Sequence, residues 1–385
     1  SAINTELDYL VAGLQQVARD QTPMLRFPDQ EDTPVTILPD RSVRANKALG
    51  FDGDGQPVMV SLAGASAPPE FTATGAGAVT RALADKANES RSVKDFGAVG
   101  DGIVDDTVAF QKALAASNSV YVPQGTYRIT STLLVGDGQT LYGVGDASVI
   151  QTSLSIVVIQ LGGSYARLTT MKLSGGAVGI KLSGANGPCV QNAVVDVSVW
   201  QAQTGLLLDG GSDTNKPVYW NNFTRVLVAQ PFVNGIHLTR SGGGDTPNAN
   251  RFAQCRVYSL GATTSGHGIY IESGSFHNSF TDVESNVNGT AQACVRCGAG
   301  SNTTLFVNLY TESHNGVPNV RLDAGSRETA IYNLLSASDG AAIWDLSGGQ
   351  YMAVNAGYPY KNRLSKTLCG DVTATLQRYD TEYIE

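Results

Sequence analysis

The sequence is poor in charge and contains very little histidine, methionine or tryptophan. Only 16% of its residues are Asp, Glu, Lys or Arg, and acids outnumber bases 34 to 26. The net charge of −8 argues against nucleic acid, whose binding needs clustered Lys and Arg. No apolar run reaches the roughly 20 residues of a membrane-spanning helix, so no membrane insertion is expected. No signal peptide is visible, and Ser1-Ala2 reads as a cloning scar. The five cysteines are an odd number. Cys294-x-x-Cys297 lacks a second Cys or His pair at zinc spacing, so free thiols are expected, with no metal and no cofactor. Glycine is the exception to this poverty: there are 43, as suits a turn-rich chain.

A ladder of repeats runs from Leu141 to about Leu346. Each repeat is a large apolar residue, two free positions, a second apolar residue, one free position and usually a third. The leaders are Leu141, Leu168, Val194, Phe223, Phe252, Phe280, Phe306 and Ile331, spaced 27, 26, 29, 29, 28, 26 and 25 residues apart. Between them recurs Gly-apolar-x-apolar, as in Gly179-Ile180-Lys181-Leu182, Gly205-Leu206-Leu207-Leu208, Gly235-Ile236-His237-Leu238 and Gly268-Ile269-Tyr270-Ile271. Weaker copies stand at Asn319-Val320-Arg321-Leu322 and Ala342-Ile343-Trp344. Period-two segments rich in Val, Ile and Phe, separated by Gly, Asn and Ser, are strand chemistry. One such unit cannot bury its apolar face alone, so stacked units share a continuous core. The expected fold is all-β, a parallel β-helix. Cys255 falls at an inward position of this ladder, where a thiol acts as a small apolar residue.

Upstream, Leu7, Leu10, Leu14 and Val17 follow the 3-4-3 spacing of a short coiled-coil seam, equally compatible with an amphipathic helix lying on its own domain. Asp52-Gly53-Asp54-Gly55 predicts a hairpin turn between Lys47–Phe51 and Pro57–Val60. Ala63 to Ala76 reads as a linker, and Ala78 to Glu89 has helical composition. The expected organisation is an N-terminal helix over 1–27, a small β-rich attachment region and linker over 28–77, and a neck helix over 78–91. A β-helix over 92–350 and a C-terminal cap or trimer contact over 351–385 follow. Asp105-Asp106-Thr107 predicts a helix from Thr107 to Ala116 that caps the open end of the solenoid. Asp101, Asp105 and Asp106 are read as structural groups of that opening.

Ser92-Val93-Lys94-Asp95-Phe96-Gly97-Ala98-Val99-Gly100-Asp101-Gly102, then Asp105-Asp106-Thr107, Ala109-Phe110 and Val120-Tyr121-Val122-Pro123-Gln124-Gly125-Thr126-Tyr127, closely resemble the opening of the pectate-lyase-like β-helix superfamily. Arg44 to Asp52 and Val79 to Lys86 resemble segments that precede this motif in phage tail proteins. The resemblance implies a right-handed single-stranded parallel β-helix with an N-terminal capping helix, preceded by a small α+β region. It further implies a homotrimeric tailspike whose N-terminal region joins the phage tail or baseplate, assembled in the host cytoplasm and acting outside the cell. The partner would be a bacterial surface polysaccharide. A large C-terminal receptor-binding domain, common among tailspikes, is missing from this pattern.

If the ladder's apolar residues point inward, those between them point outward. Asp282, Glu284, Glu312, Arg225, Arg256, Trp200, Tyr258 and Tyr310 then gather on one face. Aromatic rings, arginines and paired carboxylates suit polysaccharide binding and glycoside cleavage. Glu284 and Glu312 lie one coil and two residues apart, about 8 Å between backbone positions. An inverting hydrolase separates its carboxyl groups by about 6.5–9.5 Å. Asp282 and Glu284 are a second candidate pair. Trp200, Arg225, Arg256, Tyr258 and Tyr310 are the substrate-binding candidates, and Arg256, Arg225 or Tyr310 would serve a lyase. The same residues also suit a solvated sheet face carrying ion pairs. His237, His267, His277 and His314 have no nucleophile–His–Asp arrangement around them. A non-catalytic adhesin on the same scaffold is the alternative from another functional class.

Overall fold

The computed structural model describes residues 7–15, 41–53, 57–61, 69–211, 216–242, 247–259, 264–272, 274–288, 290–313, 316–338 and 341–357. The chain forms two compact units, Ser1–Lys86 and Ala87–Glu385.

In the first unit residues 7–15 are helical, with Leu7, Leu10 and Leu14 exposed, while Val17 lies outside the described residues. Lys47–Phe51 pairs antiparallel with Pro57–Ser61, as the turn signal predicts. The neck helix is far shorter than its composition suggests. Only Leu83–Ala87 is helical, because Arg81–Ala82 is drawn into an antiparallel pair with Glu70–Phe71, inside the segment read as linker and its flank. β-Branched Val79 and Thr80, just before this pair, favour extended backbone over helix.

The second unit is a parallel β-solenoid. One sheet of 15 strands and one of nine run along its length, and every pairing within them is parallel. The register matches repeat to repeat. Phe223, Phe252, Phe280 and Phe306 are direct neighbours on successive strands. Their rings stack with centroids 4.7, 4.4 and 4.9 Å apart, the spacing of hydrogen-bonded strands. From Leu168 to Leu334 the ladder's other apolar residues, Cys255 included, are likewise buried, but Val144, the second apolar residue of the first repeat, is 46% exposed because the register slips there.

From the second repeat on, two free positions separate the first two apolar residues because the chain bends there. Thr170, Asp196, Arg225, Gln254, Asp282, Asn308 and Asn333 all have φ between 52° and 59°. A left-handed residue costs a non-glycine of order 1 kcal/mol. Bonds from coil to coil offset it at several levels. Arg225 Nη2 donates to Asp196 Oδ2 at 2.8 Å, Asn308 to Asp282 at 2.7 Å and Asn333 to Asn308 at 2.9 Å.

A second column lies two residues before the leading apolar positions. Asn192, Asn221, Asn250 and Asn278 are fully buried. The Nδ2 groups of Asn192, Asn221 and Asn250 each donate to the next Oδ1, at 2.9, 2.9 and 3.0 Å, and the same oxygens accept the backbone N–H of Asn192, Asn221 and Asn250. The column ends where Thr304 and Thr329 take the place of asparagine. The buried Thr304 hydroxyl has no hydrogen-bond partner among the described residues.

At the N-terminal end the helix Thr107–Ala116 covers the core with Ala109, Phe110, Ala113 and Leu114. The aspartates around it tie loops together. Asp101 Oδ1 accepts from the N–H groups of Ile103 and Val104, and Asp106 from those of Val99 and Gly100. Asp105 takes both the N–H and the hydroxyl of Thr107. The hydroxyls of Thr107 and Thr130 hold the Asp105 carboxyl below the usual range, and the Val104 and Ile103 amides do so for Asp101. Cys189, Cys255, Cys294 and Cys297 are buried free thiols, and burial pushes the first, third and fourth up to about 12.

Replacing Asn221 with Ala removes the acceptor of the Asn192 backbone N–H at a fully buried position. We expect a loss of about 2–4 kcal/mol in denaturant unfolding. A loss below about 1 kcal/mol would mean that the asparagine column is not a main tie between coils.

Candidate functional site

The outward face beyond the corner belongs to the 15-stranded sheet. Its register places Ser198, Leu227, Arg256, Glu284 and Tyr310 in one column. Trp200, Ala229, Tyr258, Asn286 and Glu312 form the next. Glu284 and Glu312 are therefore diagonal neighbours, as the spacing predicts.

Each carboxylate has a distinct setting. Glu284 pairs with Arg256 of the preceding coil at 2.7 Å, its side chain 25% exposed against 59% for the arginine. Glu312 Oε2 accepts from Asn286 Nδ2 at 2.9 Å and from the Tyr310 hydroxyl at 3.3 Å. Trp200 and Tyr258 meet edge to face at 6.5 Å across Ala229, which is small enough to let them touch. Lys172 Nζ lies 4.4 Å from the centre of the Trp200 ring. Ser198, beside Lys172 in the register, donates to Asp146 at 2.6 Å.

Asp282 and Arg225 belong to the bend rather than to this face. Asp282 accepts from Asn308, and Arg225 holds Asp196. The side-chain hydrogen bond from Arg225 keeps the exposed Asp196 carboxyl below its usual range. Six of the eight named side chains thus share the face, with Asp282 and Arg225 at its margin. Lys172 and Asn286 join them there.

The nine-stranded sheet holds a denser polar cluster that the spacing argument passes over. Lys181, Leu207, His237, Tyr270, Arg296, Arg321 and Trp344 follow one another outward on successive coils. All but Arg296 occupy the free position of the Gly-apolar-x-apolar motif or its weaker copies, so the signal was present. Arg296 sits between Cys294 and Cys297, whose pairing draws the eye to metal chemistry instead. Behind the row lies His267, 3% exposed. Burial first, and then the Arg296 charge, push it down to about 3. Its Nε2 lies 3.2 Å from Arg296 Nη1. A guanidinium only donates, so Nε2 accepts and the proton sits on Nδ1. Of the other histidines, His237 contacts Glu272 at 3.3 Å, while His314 lies outside the described residues.

Residues 90–325, more than half of the chain, match the family model described as Rhamnogalacturonase A/epimerase, pectate lyase-like. The chain belongs to this pectate-lyase-like family. A 66-residue segment is 38% identical to the pre-neck appendage protein of Bacillus phage B103, covering 17% of this chain and only 8% of that protein. Among solved structures, ORF18 of Geobacillus virus E2 superposes with a TM-score of 0.53 at 16% identity, over 83% of this chain and 69% of that one. The enzymatically active domain of bacteriophage CBA120 tailspike protein 2 gives a TM-score of 0.51 at 15% identity, over 76% and 50%. At such identities these two establish the fold.

His267 stays neutral in the fold at pH values where the unfolded chain takes up a proton. Its contribution is complete above about pH 6.5 and is lost as pH falls toward 3. We expect the native protein to lose about 3 kcal/mol more than His267→Gln between pH 7 and pH 4. Equal losses in parallel denaturant titrations would show that the imidazole protonates freely.

Proposed function

We propose that this chain is the polysaccharide-engaging β-helix of a phage tail appendage. It binds and hydrolyses a capsule, O-antigen or exopolysaccharide during host attachment. In this reading it works as a homotrimer on the virion tail, with its N-terminal region toward the tail or baseplate. The similarity to a phage pre-neck appendage protein and the phage proteins that share the fold support the tail placement.

The observation that carries the chemistry is the Glu284–Glu312 diagonal on a face that also offers Arg256, Asn286, Tyr310, Trp200 and Tyr258. One coil and two residues separate the carboxylates, a spacing that leaves room for the scissile sugar and for a water on its far face, which attacks the anomeric carbon as the glycosidic bond breaks. Glu284, steadied by Arg256, draws the proton from that water. Glu312, beside the Tyr310 hydroxyl and the Asn286 amide, protonates the departing glycosidic oxygen. The Trp200–Tyr258 pair supplies apolar ring surface and edges for neighbouring sugars.

A second reading, a non-catalytic adhesin, draws on one observation: both carboxylates are already engaged by donors from their own sheet. The two readings separate in one assay. Purified protein is incubated with capsular and O-antigen polysaccharides of candidate hosts. New reducing ends and the ultraviolet absorbance of unsaturated uronates are followed together. Hydrolysis gives reducing ends without absorbance. Glu284→Gln and Glu312→Gln each then lower kcat by about 10²–10⁴-fold, with KM little changed. Absorbance together with reducing ends would mean a lyase and would end the two-carboxylate mechanism. Binding without either signal, on a polysaccharide from an infected strain, would leave the adhesin.

A further inference from the structure

The chain turns a second time three residues before each leading apolar residue. Tyr165, Gln191, Trp220, Ala249 and His277 follow one another there on successive coils, with φ between 52° and 60°. The backbone N–H of each of the first four donates to a carbonyl of the next coil, at 3.0, 3.2, 3.4 and 3.0 Å. A left-handed backbone suits glycine or asparagine and is uncommon under a bulky side chain. Two of these positions nevertheless carry large aromatic rings, and both rings stand in solvent. Tyr165 is 61% exposed and Trp220 56%. Neither gains the burial that an aromatic side chain ordinarily brings to a fold. Two coils separate them, about 10 Å between backbones, with the uncharged Gln191 on the coil between.

Trp220 is steadied from its own coil. The Tyr219 ring meets it edge to face at 5.9 Å and 76°, and Asn222 Nδ2 donates to its carbonyl at 3.3 Å. Two residues beyond the turn, Arg167, Ala193, Asn222 and Arg251 are register neighbours on four successive strands. Both arginines are exposed. Arg167 lies on the coil of Tyr165 and Arg251 on the coil after Trp220, so they bracket the aromatic pair. Among the described residues neither guanidinium has an ion-pair or hydrogen-bond partner, and the same holds for the Gln191 amide and the Trp220 indole N–H. This sets the corner apart from the Glu284–Glu312 face, where the charged groups already hold one another. Asp137, on the coil before Tyr165, accepts the Ser164 N–H at 2.6 Å. Two guanidinium groups thus stand against one carboxylate on a chain that is acidic as a whole.

We propose that the Tyr165–Trp220 corner is a second carbohydrate site, taking a glycan that carries anionic groups, carboxylate or phosphate. The C–H faces of its sugar rings rest on the two aromatic rings, and Arg167 and Arg251 donate to its anionic groups. Gln191 and the indole N–H serve its hydroxyls. The site rests on the reading that the chain engages a polysaccharide, but it lies before the bend, on a different face from Glu284 and Glu312.

The test is binding of the full chain to an array of bacterial capsular and O-antigen glycans that are neutral, uronate-bearing or phosphate-bearing. Tyr165→Ala, Trp220→Ala, Trp220→Phe and the double variant Arg167→Ala, Arg251→Ala are run alongside, with thermal melting to confirm that each folds. We expect binding to anionic glycans that weakens about ten-fold in each folded alanine variant and stays within about three-fold in Trp220→Phe. The uronate and phosphate arms show which anion the arginines take. Binding unchanged in any folded alanine variant, a preference for neutral glycans, or no binding at all would overturn the site. Depolymerisation that depends on Glu284, with Trp220→Ala binding as tightly as the parent, would reject the corner and leave the hydrolytic reading standing.

Discussion

Each coil of this protein must satisfy the coil above it and the coil below it with the same residues. That constraint governs the rest. Backbone hydrogen bonds run between coils rather than within them, so a single coil has no closed structure of its own. The stacked phenylalanines and the buried asparagines are two expressions of the rule. The first fills the core with one shape repeated at strand spacing. The second gives backbone N–H groups at a turn the partners that a strand would otherwise provide.

The same rule shapes the surface. A side chain facing outward has as neighbours the equivalent residues of the adjacent coils, so chemistry on a solenoid is written in columns. Glu284 with Arg256, and Glu312 with Asn286, are contacts between coils. So are Arg296 with Asp323 and His237 with Tyr270. Both polar surfaces are built on strands whose inward residues are fixed by packing. Their outward residues are therefore held in place without any support from loops.

Much of this was legible in the sequence, and the exceptions have physical causes. The repeat spacing fixed strand positions and register closely enough to put Glu284 and Glu312 on the diagonal. The bend at Asp282 was hidden, since a residue in the left-handed region looks like any outward polar residue until its φ is known. Asn192, Asn221, Asn250 and Asn278 read as turn formers, because burial of an asparagine cannot be inferred from its neighbours. The neck helix is cut short where Arg81–Ala82 pairs with Glu70–Phe71, a partner in the stretch read as linker that no pattern in the sequence marks. The cluster around His267 depends on residues from four coils, those of His237, Tyr270, Arg296 and Arg321, and none of its members is unusual within its own repeat.

The bend has one further consequence. It places two outward residues in succession, so the inside–outside alternation before it and the alternation after it differ by one step. Each coil therefore carries a built-in phase shift, and the residues on its far side are assigned to core or solvent by that single position. Substitution along the outer columns leaves this phase untouched, which frees those columns to change their chemistry. Loss of one residue at the bend would exchange Val283 for Glu284 across the wall of the solenoid. The surface of this scaffold can thus vary widely in kind, but its count of residues between corner and turn cannot.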